Sequence, residues 1–243
     1  MQGISGWGDS DPALPTEWDV DFGHLVEFED ALECVIELAD GRPLLTFGTG
    51  SGRLVRELLA RGVAVCAIDG QSRIEQLQAL SGTDMGLTVG DCMTSTVEGE
   101  FAVVLMTGPG LFSIPTQSEQ VQCFVNAAKH LGQRGRFVVE VASAHSDWAD
   151  DGRCWTIEIS PDRTVLLVKR YDRLAQTVRS CYIDLHHDEP PKLRFTIGRY
   201  ACPAEMDLMA EIAGMRLIER WSGWDRLPYH HNGRLLISVY EKA

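Results

Sequence analysis

The sequence predicts an α/β fold: a mostly parallel sheet covered by helices on both faces, joined late in the chain by an antiparallel β insertion. Three observations predict it. Up to residue 141, short apolar runs alternate with helical patterns at intervals of about thirty residues, the rhythm of βαβ units. The first such run, Leu44–Phe47, passes directly into Gly48-Thr49-Gly50-Ser51-Gly52. Glycines at that spacing let a chain turn tightly and bring backbone N–H groups up to a ligand. After residue 142 the helical patterns stop, and four strand-like runs follow with only short breaks.

In chain order, residues 1–20 are irregular, punctuated by Gly, Pro and Asp. Over Phe22–Ala39, the residues Leu25, Phe28, Leu32, Val35, Ile36 and Leu38 fall at helical spacing, and Pro43 ends that helix. Leu44–Phe47 is the first strand. A helix over 52–61 follows, with Leu54, Val55, Leu58 and Leu59 on its buried face. Val63–Ile68 is a buried strand ending at Asp69, and a helix covers 71–81. Leu87–Val89 is a short strand ending at Gly90-Asp91. Phe101–Met106 is a strand followed by the turn Thr107-Gly108-Pro109-Gly110, a helix spans 117–131, and Arg136–Val141 is the next strand. Trp155–Ile159, Val165–Tyr171, Thr177–Leu185 and Leu193–Tyr200 then form an antiparallel meander. A helix over 203–213 is capped by Gly214. Two strands, Arg216–Trp221 and Leu235–Glu241, close the chain.

Composition bounds the function. The 243 residues, 44% of them hydrophobic, suffice for one sizeable core, so a single domain over 1–243 is expected. Within it, residues 1–40 form an N-terminal arm and helix, and residues 145–200 form the insertion. The formal charge is −13, and residues 1–41 carry eleven Asp and Glu with no Lys or Arg. Such a surface repels phosphate backbones and anionic lipids, so neither nucleic acid nor membrane is an expected partner. No apolar run reaches the roughly 20 residues of a membrane-spanning helix, and the N-terminus does not read as a signal peptide. The seven cysteines form no CxxC pair and read as reduced core residues of a cytoplasmic protein. No carboxylate and histidine cluster has metal-ligand spacing, so no metal is expected.

The glycine spacing separates two ligand classes. A dinucleotide fingerprint, GxGxxG, calls for a small residue at position 53, where this chain has Arg53. Asp69 ends the second strand, where a carboxylate can accept the hydroxyls of a ribose. Asp91 ends the third, where it can accept the exocyclic amine of an adenine. Either acid alone reads equally as a strand-end or turn residue. Together with the loop they lie at the carboxyl ends of three successive strands, the edge at which open α/β sheets bind ligands.

These residues carry a resemblance. From about residue 40 to 243 the chain resembles the class I S-adenosylmethionine-dependent methyltransferases. The family's first motif, an acid followed by Gly-x-Gly-x-Gly, is read here as Thr46-Phe47-Gly48-Thr49-Gly50-Ser51-Gly52. Its second motif is matched by Asp69 and its third by Gly90-Asp91-Cys92. The segment Leu131–Glu140 resembles the turn before the fifth strand, and the last two strands resemble a reversed C-terminal hairpin. The resemblance implies a Rossmann-like, mostly parallel seven-stranded sheet, with S-adenosylmethionine as cofactor. Arg199–Ala210, Ala213-Gly214, Arg220-Trp221 and Ser238–Tyr240 further resemble bacterial, largely actinobacterial, small-molecule methyltransferases, with natural-product sugar N-methyltransferases related in layout. There the insertion roofs the substrate pocket. The expected partners are a small-molecule acceptor and, as one option, a second copy of the chain in a homodimer.

The resemblance assigns cofactor contacts to Thr46, Gly48, Thr49, Gly50, Gly52, Asp69, Gly70, Asp91, Cys92 and Thr107, the last at the methionine end. Thr46 departs from the pattern, because the family usually has an acid there that helps hold the methionine amine. A hydroxyl bonds without charge, and a charge-assisted bond is roughly twice as strong. Thr46 therefore supports one competing reading, a protein that binds S-adenosylmethionine without methylating; a nicotinamide-dependent dehydrogenase is another. Methyl transfer needs alignment and a dry pocket more than a base, so catalytic residues are poorly marked. The candidates are His145, after the fifth strand, and Tyr200, in the resembling segment. His186, His187, His230, His231 and Glu205 read equally as surface or capping residues, and Trp221 and Trp224 as packing. Trp18 is a candidate to close over the cofactor.

Overall fold

The computed structural model describes residues 25–81, 86–143, 154–230, 233 and 235–242. The expected arm over residues 1–24, Trp18 and His145 lie outside the described residues.

Strand β1 (Leu44–Phe47) is buried along its whole length because helices cover both faces of the sheet. It runs parallel to β2 (Val65–Asp69) on one side and to β4 (Phe101–Met106) on the other. Beyond β2 lies β3 (Gly86–Val89), and beyond β4 lies β5 (Leu131–Ala142), both parallel. β11 (Leu235–Lys242) runs antiparallel to β5, and β10 (Met215–Trp221) antiparallel to β11. The seven-stranded order is β10-β11-β5-β4-β1-β2-β3, with β11 reversed against the rest.

Alternation along each strand sends side chains to two cores. On one face Leu44, Val65, Leu105 and Val138 pack with α1 (Leu25–Ala39), α2 (Arg53–Ala60) and α3 (Gln71–Ser81). On the other, Leu45, Ile68, Val104 and Val139 pack with α4 (Gln117–His130) and α5 (Pro203–Ile212). Phe124 of α4 lies edge-on to Phe137 and Tyr240, with centroids 5.1 and 5.6 Å away. Thr116 caps α4 by accepting from the Glu119 N–H. Arg53 has a packing task here: its guanidinium lies 3.9 Å over the Phe28 ring.

β5 begins five residues earlier than its apolar run. Leu131 pairs with Phe101 and Arg136 with Val103, so the residues between form a bulge with Arg134 at φ 59°. Backbone packs so closely there that a Cβ on Gly135 would lie 2.9 Å from the carbonyls of Gly132 and Phe101.

The insertion is a separate antiparallel sheet, β6 (Cys154–Ile159), β7 (Arg163–Asp172), β8 (Thr177–His186) and β9 (Lys192–Arg199), in that order. Tyr200, expected in the last strand, follows it instead, where its N–H donates to the Gln176 carbonyl at 3.0 Å. Buried Arg199 fastens the sheet to the rest. It donates to Gln120 of α4 (2.7 Å), to Gln176 (2.9 Å) and to Glu205 of α5 (2.5 Å). Glu205 also accepts from Gln176 at 2.9 Å and Gln117 at 2.5 Å, so its first-turn position comes with a half-buried ion pair. Gly198 shares a sheet face with Val178 and Tyr171. A side chain at Gly198 would collide with the Phe112 carbonyl, so this face looks onto the short 3-10 turn Leu111–Ser113 after β4.

Candidate cofactor site

The C-terminal ends of β1, β2, β3 and β4 meet at one edge of the large sheet, and the glycine loop opens there. Gly48, Gly50 and Gly52 have φ of 86°, 55° and 77°, the left-handed region that costs other residues about 1–2 kcal/mol. Gly52 is the N-cap of α2 and supplies no side-chain cap, so backbone N–H groups face the loop. A Cβ on Gly52 would also sit 3.0 Å from Leu77 Cδ1, whereas at Gly50 it would meet nothing within 4 Å. The loop thus presents backbone with open space in front of it, which fits a ligand that touches backbone.

Asp69 locks this loop to β2. Its Oδ2 accepts from the Thr49 N–H at 2.6 Å and the Thr49 hydroxyl at 2.7 Å, and its Oδ1 accepts from the Gly70 N–H at 2.7 Å. The residue is 4% exposed. Burial pushes its carboxyl up from the usual range, against the opposing pull of those hydrogen bonds and the Arg73 charge. A carboxylate has about four acceptor directions; with three used, one remains on Oδ1. That leaves room for one ribose hydroxyl where the sequence suggested two. Gly70 continues the unit, its carbonyl accepting from the N–H groups of Arg73 and Ile74.

Thr46 is buried, and its hydroxyl donates to the Gly48 carbonyl at 2.6 Å, so it shapes the loop without bringing charge. Asp91 shapes its own turn: Oδ1 accepts from the N–H groups of Met93 and Thr94, both at 2.8 Å, and Oδ2 from the Thr94 hydroxyl at 2.6 Å. The Cys92 side chain points away from the edge, into the core with Cys123 and Met106, and burial pushes its thiol well up. Its carbonyl accepts from Asn126 at 3.0 Å. What Cys92 offers a ligand is therefore backbone.

Thr107 opens the turn after β4. The next N–H, of Gly108, donates to Glu140 Oε1 at 3.0 Å, and Trp224 Nε1 donates to Glu140 Oε2 at 2.6 Å. Glu140 was quoted above only as part of a turn. The signal for more was there: an acid inside the apolar run Phe137-Val138-Val139-Glu140-Val141 is buried at a cost unless it has a task. His130 was also missed. Its Nε2 accepts from the Val97 N–H at 3.0 Å and its Nδ1 lies 2.8 Å from the Asn126 carbonyl, which assigns the neutral, Nδ1-protonated tautomer.

Tyr200 is buried at the junction of the insertion and α5, its ring 6.1 Å from that of Tyr171. Burial pushes its phenol up, so it stays protonated near neutrality. Of the other histidines, His186 lies 3.2 Å from Asp184, His187 sits beside Asp188 in solvent, and His230 is exposed. His231 lies outside the described residues. Trp221 and Trp224 are packing residues, both buried in the α1–α3 core. No group of three or more potential metal ligands occurs among the described residues, and no helix among them is long and apolar enough to cross a membrane.

The chain is similar to the CcbJ methyltransferase from Streptomyces caelestis, at 30% identity and a TM-score of 0.88, with 98% of each chain covered. It is similar in fold to an S-adenosylmethionine-dependent methyltransferase from Clostridium acetobutylicum, at 11% identity and a TM-score of 0.81, covering 93% of this chain and 96% of that one. An amino pentose methyltransferase from Micromonospora echinaspora, solved with S-adenosylmethionine bound, matches at 17% identity and a TM-score of 0.69, covering 96% of this chain and all of that one. No protein-family model and no curated protein matches the sequence. The reversed β11, where a dinucleotide fold would add another parallel strand, agrees with these likenesses. The chain belongs to the S-adenosylmethionine-dependent methyltransferases, and S-adenosylmethionine is its cofactor.

Proposed function

We propose that this methyltransferase acts on an amine or hydroxyl of a small molecule. The observation that carries the proposal is the seat of the insertion. Arg199 fastens β9 to α4 and α5, and the face bearing Gly198 looks onto the turn after β4. An acceptor there is enclosed between two sheets, which suits a compact molecule better than a polymer. The charge of −13 also disfavours a nucleic acid or an anionic membrane. Relatives of low identity are named for such acceptors, among them the amino pentose enzyme and a sugar N-methyltransferase from Streptoalloteichus.

The cofactor supplies a methyl group already activated on a sulfonium. The chain's task is to hold, align and dry the site. In this reading backbone at Gly48, Gly50 and Gly52 borders the ligand, and Asp69 and Gly70 take the ribose. Asp91 and the backbone of Cys92 border the adenine, and Thr107 the methionine end. Tyr200, protonated at neutral pH, orients the acceptor by donating a hydrogen bond; His145 is the candidate to take a proton from it.

Isotope-labelled S-adenosylmethionine, incubated with the enzyme and a panel of amino sugars, amines and phenols, tests this. Label in a small product, with an equal amount of S-adenosylhomocysteine, is the expected result. Label entering protein or RNA from a lysate, with none in the small-molecule fraction, would overturn it.

A further inference from the structure

The two faces of the insertion sheet differ. The face that bears Gly198 also carries Val165, Leu167, Ser180 and Asp184, all buried. Alternation puts Leu166 and Val168 of β7, Cys181 and Ile183 of β8, and Leu193 and Phe195 of β9 on the outer face. None of these six is buried, and Phe195 is 58% exposed. Four strands about 4.8 Å apart and on average about 30 Å long make a face of about 550 Å². An apolar patch of that size marks an interaction site. Two copies packed face to face would cover about 1,100 Å², above the roughly 1,000 Å² that a specific interface needs.

The ends of this face carry opposite charge. Towards the β7–β8 turn, Arg170 and Arg179 stand opposite each other in register, both exposed. Like charges placed so destabilise a sheet, and neither guanidinium has an acid partner among the described residues. At the other end the β6–β7 and β8–β9 turns touch, the His187 N–H donating to the Asp162 carbonyl at 3.2 Å. These turns bring the exposed acids Asp162, Asp188 and Glu189. Lys192 offsets Glu189 at 2.7 Å, and His187 lies 3.1 Å from Asp188. A two-fold interface uses the same patch on both copies. With the axis along the strands, basic end would stack on basic end. With the axis across the strands, each basic end meets the other copy's acidic end. An anionic lipid surface fits worse, because the acidic end and the charge of −13 repel it.

We propose that the outer face of the insertion sheet binds a second copy of this chain. The two-fold axis crosses the strands, so each Arg170–Arg179 pair meets the Asp162–Asp188 end of the other copy.

Sedimentation velocity of the full chain, from micromolar to submillimolar concentration, tests this. Wild type should sediment at twice the chain mass, and F195E at the chain mass with an unchanged circular dichroism spectrum. If F195E does not fold, L193K at the neighbouring exposed position decides in the same way. The double variant R170E/R179E should weaken the dimer at least about tenfold, as should D162R/D188R, because each sets like charges together. All four changes combined should restore it. Wild type that stays at the chain mass overturns the proposal; if that monomer also co-sediments with phosphatidylcholine vesicles, the face belongs to a lipid surface. A dimer that survives both F195E and L193K overturns the choice of face. A combined variant that stays dissociated overturns the axis across the strands.

Discussion

Removing the Asp69 carboxylate should weaken the fold through the loop it holds and, on the proposed placement of the ribose, cofactor binding as well. In Asp69→Ala the Thr49 N–H, the Thr49 hydroxyl and the Gly70 N–H lose their acceptor. A buried donor left unsatisfied costs about 1–3 kcal/mol. The Thr49 hydroxyl can rotate and water can reach half-buried Gly70, so the Thr49 N–H carries most of the cost. Against this, the variant no longer buries a carboxylate whose proton affinity burial has raised. That raised value means the ionised Asp69 disfavours the folded state, and the disadvantage grows as pH rises from below 3.8 through the folded value. The net loss in stability at pH 7 should be about 1–2 kcal/mol, at the low end of the donor cost. Cofactor affinity should fall further, by about 1–3 kcal/mol, from the lost ribose acceptor and the loosened loop. Urea unfolding gives the first number and calorimetry with S-adenosylhomocysteine the second. A variant with wild-type affinity would refute the placement of Asp69 in the site, however stability changed.

Four further outcomes follow. Arg199→Met should cost about 1–3 kcal/mol in urea unfolding, because it leaves the half-buried Glu205 carboxylate with only the neutral donors Gln176 and Gln117; a loss below 1 kcal/mol would show that the tether is not needed. Burial pushes the Glu205 carboxyl up, but the bonds from Arg199 and Gln176 outweigh it and hold it below 4.5; its contribution is therefore present above pH 4.5 and lost as pH falls through its folded value, and an acid titration of wild type showing more loss than one of Glu205→Gln checks this. Phe124→Ala should lower stability by about 3–5 kcal/mol, since the ring is fully buried between Phe137 and Tyr240. Gly52→Ala should lower stability in urea unfolding by the cost of a left-handed Ala, about 1–2 kcal/mol, and also weaken S-adenosylhomocysteine binding; unchanged binding would show that the α2 N-terminus does not border the ligand.

Much of the fold was legible because its elements have strong periods. Phe101–Met106 is apolar at every position and Leu44–Phe47 at all but Thr46, as strands covered on both faces must nearly be. The loop was legible because Gly48, Gly50 and Gly52 each take a backbone conformation that few other residues tolerate. The early start of β5 was not, because the bulge at Gly132–Gly135 depends on Phe101, thirty residues away and silent in local pattern. Tyr200 lay beyond the strand because its N–H bonds to the Gln176 carbonyl, a partner on the neighbouring hairpin. Within the site, Asp69 and Asp91 could be placed at strand ends, but not the shares of their carboxylates taken by Thr49, Gly70, Met93 and Thr94. Glu140 and Trp224 are 84 residues apart and meet only through the order of β5 and the chain after β10.

The crystal structure with S-adenosylhomocysteine bound tests the central claim most directly. The account predicts the ribose against Asp69, the adenosine along the Gly48–Gly52 loop, and the amino group beside the turn of Thr107 and Gly108. A ligand seated away from that loop, with Asp69 still bonded only to Thr49 and Gly70, would contradict it.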